Sequence, residues 1–394
     1  MKTKEDYKAI ERLYVPQWLT DQIQVANFDL VDHMRWMLLN DGRLNEVYRV
    51  EQKEIDHLRQ NERSLRNLLR TPFLMVAPTL ETVEDWRCFI DQTPKTLAVD
   101  KLRRSMPPLG SLPLFSVQQY NRHFVDLVTS VLNMSVLCAP LLGMTTELAR
   151  YLISVPAYKM RFALREMDNL PLFRWRFVSP TFWYEFTADT LTDEAVAHQI
   201  MLTSPIRPGQ LSPGMAWSEL RLERARNETF AAAMMAHGCR ASTASALFRL
   251  TQNEMRQLYV RIHGKSSTMG NSANSLPWFV KTPQHRLHAT VYVWLYRSAI
   301  DMHANAAEAL IATNDIYGRL FGGNQLISPD RGFNVTRSMV ADSRLALAPC
   351  RSCSTHYVVS NNDTKIEMHN SFVCPSCMQR LGSRKKPGRA GGGH

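Results

Sequence analysis

The stretches Cys350-Arg-Ser-Cys353 and Cys374-Pro-Ser-Cys377 together make the pattern C-x2-C-x20-C-x2-C. Each C-x-x-C turn can present two thiolates to one ion, and two such turns complete the tetrahedral sulfur site that Zn²⁺ prefers. A closed four-sulfur site has no open position for water, so such an ion stabilises the fold and is not catalytic. The sequence therefore predicts one structural zinc ion per chain, bound by Cys350, Cys353, Cys374 and Cys377.

The residues between the two turns suit a small β-hairpin. A strand is predicted at 357–359, a turn at 361–363 and a returning strand at 372–373. The alternative is a set of four unpaired core cysteines, but each pair encloses a Ser, and one also a Pro, which is typical of turns. We therefore predict a zinc ribbon over residues 347–380.

The other cysteines and the apolar segments predict the compartment. Cys88, Cys138 and Cys239 are scattered and odd in number, which argues against a disulfide framework, and thiolate ligands need a reducing compartment. Residues 1–7 are charged with no apolar core after them, unlike a signal peptide. The longest apolar stretch, 131–144, is too short to span a bilayer. We expect a soluble cytoplasmic protein that does not contact the membrane.

Positive charge is concentrated in the second half of the chain. Lys and Arg exceed Asp and Glu by 11 overall; residues 201–394 carry 23 cations against 11 acids, and residues 1–200 carry 24 against 25. A segregated basic half indicates a polyanionic partner, most commonly nucleic acid. The alternative is a generally basic surface without a specific partner.

Apolar periodicity predicts a mostly α-helical chain in three blocks. The first block has helical patterns at 29–39 and 51–69, and the second has them at 117–138, 145–153 and 156–167. Two Pro- and Gly-containing segments, 105–113 and 204–214, are predicted to be non-helical linkers. The predicted domains are two small helical units at 1–104 and 114–204, a helical domain at 215–346, the zinc ribbon at 347–380 and a disordered basic tail at 381–394.

The first two blocks look like copies of one unit. Each has a long helix, a second helix led by a Glu, and a short extended run before a proline, Phe73-Leu-Met-Val-Ala-Pro78 in one and Phe173-Arg-Trp-Arg-Phe-Val-Ser-Pro180 in the other. The offset between matching features drifts from 93 to 102 residues. This indicates an old, gapped duplication; the alternative is chance similarity between helical segments.

The third block opens with a candidate helix-turn-helix. Helices are predicted at 228–237 and 242–250, and Thr251-Gln-Asn-Glu254 is a capping box that starts a third helix over 252–263. That helix should bury Met255, Leu258, Tyr259 and Ile262. Arg can hydrogen bond guanine, and Asn or Gln adenine, in the major groove. The predicted DNA contacts are Asn253, Arg256, Gln257 and Arg261 on the free face, Lys265 and Arg249 beside it, and Arg384, Lys385 and Lys386 in the tail.

Several of these motifs resemble the flagellar activator FlhC. The matching features are Leu250-Thr-Gln-Asn-Glu-Met-Arg-Gln-Leu-Tyr259, Leu276-Pro-Trp-Phe279, Val335-Thr-Arg-Ser338 and the final four cysteines. The second block is similar to FlhD, the partner subunit, through Leu142-Gly-Met-Thr-Thr-Glu147 and Phe173-Arg-Trp-Arg-Phe177. The first block is more weakly FlhD-like and has Arg49-Val50 where the second block has its Leu-Gly turn.

This resemblance implies a bacterial DNA-binding activator that recruits RNA polymerase, with structural zinc in the FlhC-like part. The family's complex has four FlhD and two FlhC subunits, so a homodimer of this chain would supply four and two units. The alternatives are an FlhC-like adaptor or anti-activator, or a regulator of mobile-element transfer genes, that acts through protein contacts. An enzyme such as a nuclease is disfavoured, because the acids of the basic half, such as Asp301, Glu308 and Asp315, are isolated. We expect no small-molecule substrate.

Overall fold

Helices make up most of the chain, which confirms the mostly α fold class. The computed structural model describes residues 10–167, 169–205, 224–268, 275–341, 344–362, 365–366 and 371–378. Among these residues, no helix combines the length and apolar character that crossing a membrane requires.

The first unit is built around one long helix. Its elements are α1 (Gln17–Asn40), α2 (Asn45–Tyr48), α3 (Gln52–His57), α4 (Glu62–Leu69), β1 (Val76–Pro78), α5 (Val83–Ile90) and α6 (Leu97–Ser105). The single helix predicted at 51–69 is wrong, because the chain turns at Arg59 and Gln60 and helix α4 begins only after Asn61.

The second unit repeats this order. Its elements are α7 (Ser111–Met134), α8 (Cys138–Leu142), α9 (Thr146–Ser154), α10 (Ala157–Glu166), β2 (Phe173–Trp175), α11 (Pro180–Thr187) and α12 (Asp193–Leu202). The non-helical linker predicted at 105–113 is too long, since α7 already begins at Ser111 and holds Pro113 in its first turn. Proline is tolerated there because first-turn amides have no intrahelical acceptor.

The two units correspond element by element. The offset is 94 residues at the start of the long helix, from Gln17 to Ser111, and 97 at the strand, from Val76 to Phe173. Buried Asn27 donates to the Phe73 carbonyl and accepts from the Met75 amide. Buried Asn121 makes the matching pair of bonds with Leu170 and Leu172, which lie 97 residues after Phe73 and Met75. An identical buried bond pattern favours duplication over chance similarity.

An internal pseudo-twofold axis relates the units. Strands β1 and β2 pair antiparallel, with Val76 opposite Trp175 and Pro78 opposite Phe173, so the axis passes between Ala77 and Arg174. The flanking hydrogen bonds obey the same symmetry: the Thr79 amide donates to the Leu172 carbonyl, and the Arg176 amide donates to the Met75 carbonyl. Helices α1 and α7 pack together across this axis.

The first unit keeps the turn that its sequence seemed to lack. Arg49 ends α2 at φ 55° and Gly143 ends α8 at φ 67°, both left-handed, and the two positions are 94 residues apart. A Cβ on Gly143 would lie 3.1 Å from the Arg176 guanidinium, so close packing favours glycine there. Arg49 makes the same backbone turn without glycine.

The C-terminal region is a helical layer with a small sheet on one side. Its elements are α13 (Arg224–Ala236), α14 (Ala241–Phe248), α15 (Gln252–His263), α16 (Pro283–Asp301), α17 (Ala306–Phe321), α18 (Pro329–Ala341), β3 (Leu345–Pro349), β4 (His356–Asn362) and β5 (Lys365–Ile366). Helix α16 is the core helix: Tyr292, Trp294 and Tyr296 are buried. Strand β4 lies against it through a bond from the Val358 amide to Thr290 Oγ1.

The N-terminal units dock directly onto this region. The Val15 amide donates to the Asp315 carboxylate at 3.0 Å, and Arg319 donates to the Val15 carbonyl at 2.6 Å. The Phe73 ring stacks on Trp294. Helix α12 of the second unit packs against α16 and α17, so the duplicated half acts as a scaffold for the C-terminal half. The predicted domain limits remain predictions.

Candidate metal centre and nucleic-acid interface

Two turns bring the four predicted cysteines together. Their sulfur atoms all lie within 4.8 Å of one another, and Cys353 Sγ is 3.7 Å from Cys374 Sγ. In a regular tetrahedron with Zn–S bonds of about 2.3 Å, sulfurs are about 3.8 Å apart. The donor set therefore fits a tetrahedral metal ion.

Backbone amides point at these sulfurs. The Ser352 and Cys374 amides donate to Cys350 Sγ at 3.4 and 3.2 Å, and the Cys377 amide donates to Cys374 Sγ at 3.4 Å. Such bonds stabilise thiolates, the form that binds metal. The turns are held by a bond from the Cys350 amide to the Thr355 carbonyl.

The predicted hairpin of the ribbon is partly wrong. The strand predicted at 357–359 exists and extends over His356–Asn362, so the predicted turn at 361–363 begins inside it. The returning strand is not 372–373, which forms no strand, but the short β5 (Lys365–Ile366). On its other edge β4 pairs with β3 (Leu345–Pro349), ahead of the first cysteine. The alternation Leu-Ala-Leu-Ala gave only a weak strand signal, and pairing with β4 determines its conformation.

The cysteine sulfurs influence one another electrostatically. The hydrogen bond that Cys374 shares with Cys353 lowers the pKa of the Cys353 thiol. Burial, reinforced by the charge on Cys353, raises the pKa of Cys377 to about 12. Several thiolates this close repel one another unless a cation compensates them, so full deprotonation and metal binding are coupled.

His198 reaches this centre from the second unit. Its Nδ1 shares a 2.7 Å hydrogen bond with the Tyr357 hydroxyl, and its side chain lines the same cavity as Cys353. Polar groups beside a metal ligand can fix its orientation and tune the metal. His198 was not predicted, because it lies on α12, far from the cysteines in the chain, and carries no local sequence signal.

Helices α13, α14 and α15 form a three-helix unit with the predicted turn. Thr251 and Glu254 make the predicted capping box: Thr251 Oγ1 accepts from the Glu254 amide at 3.3 Å, and the Glu254 carboxylate accepts from the Thr251 amide at 3.3 Å. Helix α15 runs from Gln252 to His263, as predicted. Buried Asp330 on α18 accepts from the Arg240 amide and from Thr243 at the start of α14, which anchors that helix.

One face of α15 is buried and the other is open. Met255 and Tyr259 are buried, as predicted, whereas Leu258 is only half-buried and Ile262 is 37% exposed. The prediction for Ile262 is wrong: in the last turn of α15 it is the half-buried His263, bonded to the Met235 carbonyl, that contacts α13.

The predicted DNA contacts cluster on the open side. The exposed residues are Asn253, Arg256, Gln257 and Arg261 on α15, Lys265 just beyond it, and Arg249 in the turn. The backbone at Arg249 has a left-handed conformation, with φ 51°, which ends α14. Arg384, Lys385 and Lys386 lie outside the described residues. Contact with DNA stays a prediction for all of them.

Comparison with known proteins assigns the C-terminal region. Residues 220–391 match the family model described as "Flagellar transcriptional activator (FlhC)". Residues 220–391 therefore form an FlhC-family domain. This FlhC domain contains the three-helix unit and all four clustered cysteines.

One curated relative agrees with this assignment. The flagellar transcriptional regulator FlhC of Gallionella capsiferriformans (strain ES-2) is 26% identical over 164 residues, which cover 40% of this chain and 87% of that protein. The FlhC family is one of transcriptional regulators and not an enzyme class. The family match begins at residue 220, so the resemblance of the two preceding units to FlhD stays a prediction.

Proposed function

We propose that this chain is a sequence-specific DNA-binding transcriptional activator that reads duplex DNA with helix α15. The observation that carries the proposal is the open face of α15 inside an FlhC domain. Asn253, Arg256, Gln257 and Arg261 are all exposed there, on a helix whose other face is packed. Their side chains can pair with base edges in the major groove.

Charge supports the same proposal. The half of the chain that holds the FlhC domain has 23 cations against 11 acids. Phosphate contacts from such a surface supply the sequence-independent part of DNA affinity.

The duplicated half supports a defined assembly. Two units related by a pseudo-twofold axis precede each FlhC domain, and we propose that both are FlhD-like. A homodimer then carries four such units, two FlhC domains and two structural zinc ions. In this assembly the duplicated N-terminal half orients two α15 helices, here called readers, on one duplex. The complex then recruits RNA polymerase to the promoter.

DNA binding by promoter fragments from the host genome tests the reader. Arg256→Ala and Arg261→Ala should each weaken binding to the preferred fragment by about 1–3 kcal/mol and relax preference at one base pair. The matched control is Arg226→Ala, an exposed arginine on α13 of the same three-helix unit. Fluorescence anisotropy at fixed salt, with a scrambled fragment alongside, measures both effects.

The same experiment can reject the proposal. If wild-type protein binds preferred and scrambled fragments equally, or if Arg256→Ala and Arg261→Ala both bind like the Arg226→Ala control, α15 does not read sequence. The FlhC domain would then act through protein contacts, as an adaptor does.

A further inference from the structure

A group of basic side chains lies near the start of helix α14, away from the open face of α15. It comprises Arg240 just before α14, Arg331 on α18, and Lys281 and His285 around the start of α16, and is here called the basic cluster. The Arg331 guanidinium stacks on the Trp278 ring, with its central carbon 3.7 Å from the ring centroid. Stacking on an aromatic face holds a guanidinium in place and leaves the N–H groups at its edge able to bind anions.

Cations outnumber acids in the basic cluster. In the described part of the chain, neither Arg331 nor Lys281 has a carboxylate partner. The adjacent acid, Asp330, is buried, and its carboxylate accepts from the Arg240 amide at the start of α14. Burial, and then the charge of Arg240, lower the pKa of Arg331, while burial and the charges of Arg331 and Lys281 lower the pKa of His285. Cations that repel one another in this way form a surface that attracts anions.

The basic cluster lies beside the proposed reader helix. The Ala241 amide at the start of α14 donates to Ser267 Oγ at 3.1 Å, so the chain that leaves α15 through Lys265 returns to the cluster. Arg249 stands at the other end of α14, next to the start of α15.

The length of α14 matches the scale of the DNA groove. This helix has 8 residues and therefore spans about 12 Å between Arg249 and the basic cluster. The major groove of DNA is also about 12 Å wide, and phosphates border it on both sides. With α15 in the groove, a phosphate strand would therefore lie at about the distance that separates the cluster from the reader.

We propose that the basic cluster binds the DNA backbone, with Arg331 and Lys281 each contacting a phosphate beside the groove that α15 occupies. This inference rests on the proposed DNA binding of the FlhC domain but not on base recognition by α15. A guanidinium binds phosphate oxygens through paired N–H donors. Backbone contacts position a protein on the duplex and carry no direct sequence information, so the cluster adds affinity and fixes register while α15 selects the bases.

The salt dependence of DNA binding by the full-length, zinc-loaded protein tests this contact. Arg331→Gln and Lys281→Gln each remove one charge and keep a polar side chain. Each variant should lower the steepness of log K against log salt concentration by about 0.9, which corresponds to about eightfold weaker binding at about 0.1 M salt. The loss should be equal on preferred and scrambled fragments, because phosphates are the same in both.

Two further variants serve as controls. Arg331→Lys keeps the charge and should retain most of the wild-type salt dependence. Arg337→Gln removes an exposed arginine of the same helix α18 that is not part of the basic cluster, and should leave the salt dependence unchanged. Thermal unfolding and zinc content are measured for every variant. Lys281 is exposed, so Lys281→Gln carries the test if Arg331→Gln destabilises the fold.

The outcomes separate this contact from the reader. An unchanged salt dependence in folded Gln variants of the cluster overturns the proposal, even where Arg256→Ala weakens binding to the preferred fragment. An equal loss in Arg337→Gln also overturns it, since a general loss of charge then explains the effect. A loss confined to the preferred fragment would make the cluster a base contact and reject the phosphate assignment. If wild type binds all fragments equally but the cluster variants behave as expected, the backbone contact stands and the reader is rejected.

Discussion

Asn27 and Asn121 lie 94 residues apart and make the same two hydrogen bonds to the chain that enters each strand. Replacing either with Ala leaves a buried carbonyl and a buried amide without partners. We expect each variant to lose about 2–4 kcal/mol of unfolding free energy, with the two losses similar. Urea unfolding of Asn27→Ala and Asn121→Ala measures this, and a loss confined to one variant would contradict their equivalence.

His33 is a buried residue where the two units differ, since Leu127 occupies the matching position. Its ring bonds Ser116 and Tyr48 and stacks on Tyr120. Burial lowers the pKa of His33 to about 3. The unfolded chain, with a His pKa of about 6.5, binds the extra proton, so unfolding free energy falls as pH drops from about 6.5 toward 3.

His33→Leu should remove its share of this acid sensitivity, about 2 kcal/mol between pH 7 and pH 5. The variant should lose about 1–3 kcal/mol at pH 7, because the Tyr48 hydroxyl loses its partner. Urea unfolding at both pH values separates the two effects. Some acid sensitivity will remain, because burial also lowers the pKa of His288 to about 3. An unchanged difference between pH 7 and pH 5 would show that His33 is protonated in the fold.

Helices were predictable where capping residues in the local sequence fix their ends. Helix α15 was predicted with correct bounds because Thr251 and Glu254 cap its start and Gly264 takes the left-handed conformation at its end. Strand β3 was missed because only its pairing with β4 makes it a strand. The four cysteines were predictable from spacing, whereas the position of His198 beside them depends on how distant elements pack.

The ribbon is the element whose folding should depend on metal. Cys374→Ser replaces a predicted zinc ligand that is fully buried beside Cys350 and Cys353. We expect zinc content to fall from one ion per chain to well below one, and the FlhC domain to unfold at lower temperature, since binding energy in such sites is folding energy. Cys88→Ser is the control: Cys88 is also buried, and a serine hydroxyl can donate to the Glu84 or the Pro94 carbonyl as the thiol does. Retention of one zinc by Cys374→Ser would refute the ligand assignment.

At the scale of the whole molecule, the pseudo-twofold axis explains the order of the chain. The β1–β2 strand pair and the packed helices α1 and α7 join the two units. The FlhC domain docks on the first unit through Asp315 and Arg319. One chain therefore contains a complete pair of units for each FlhC domain. Joining them covalently fixes this ratio and leaves only one association step to build a two-reader complex.

We predict that this single association step forms a homodimer. Light scattering of zinc-loaded protein should give about 90 kDa, twice the 45.2 kDa of one chain, and native mass spectrometry should count two zinc ions per dimer. Two readers on one assembly would also bind a two-site duplex more tightly than a duplex with one site, because the second contact becomes intramolecular. A mass near 45 kDa at every concentration, with or without the two-site duplex, would mean that one FlhC domain acts alone and that the four-and-two assembly does not form.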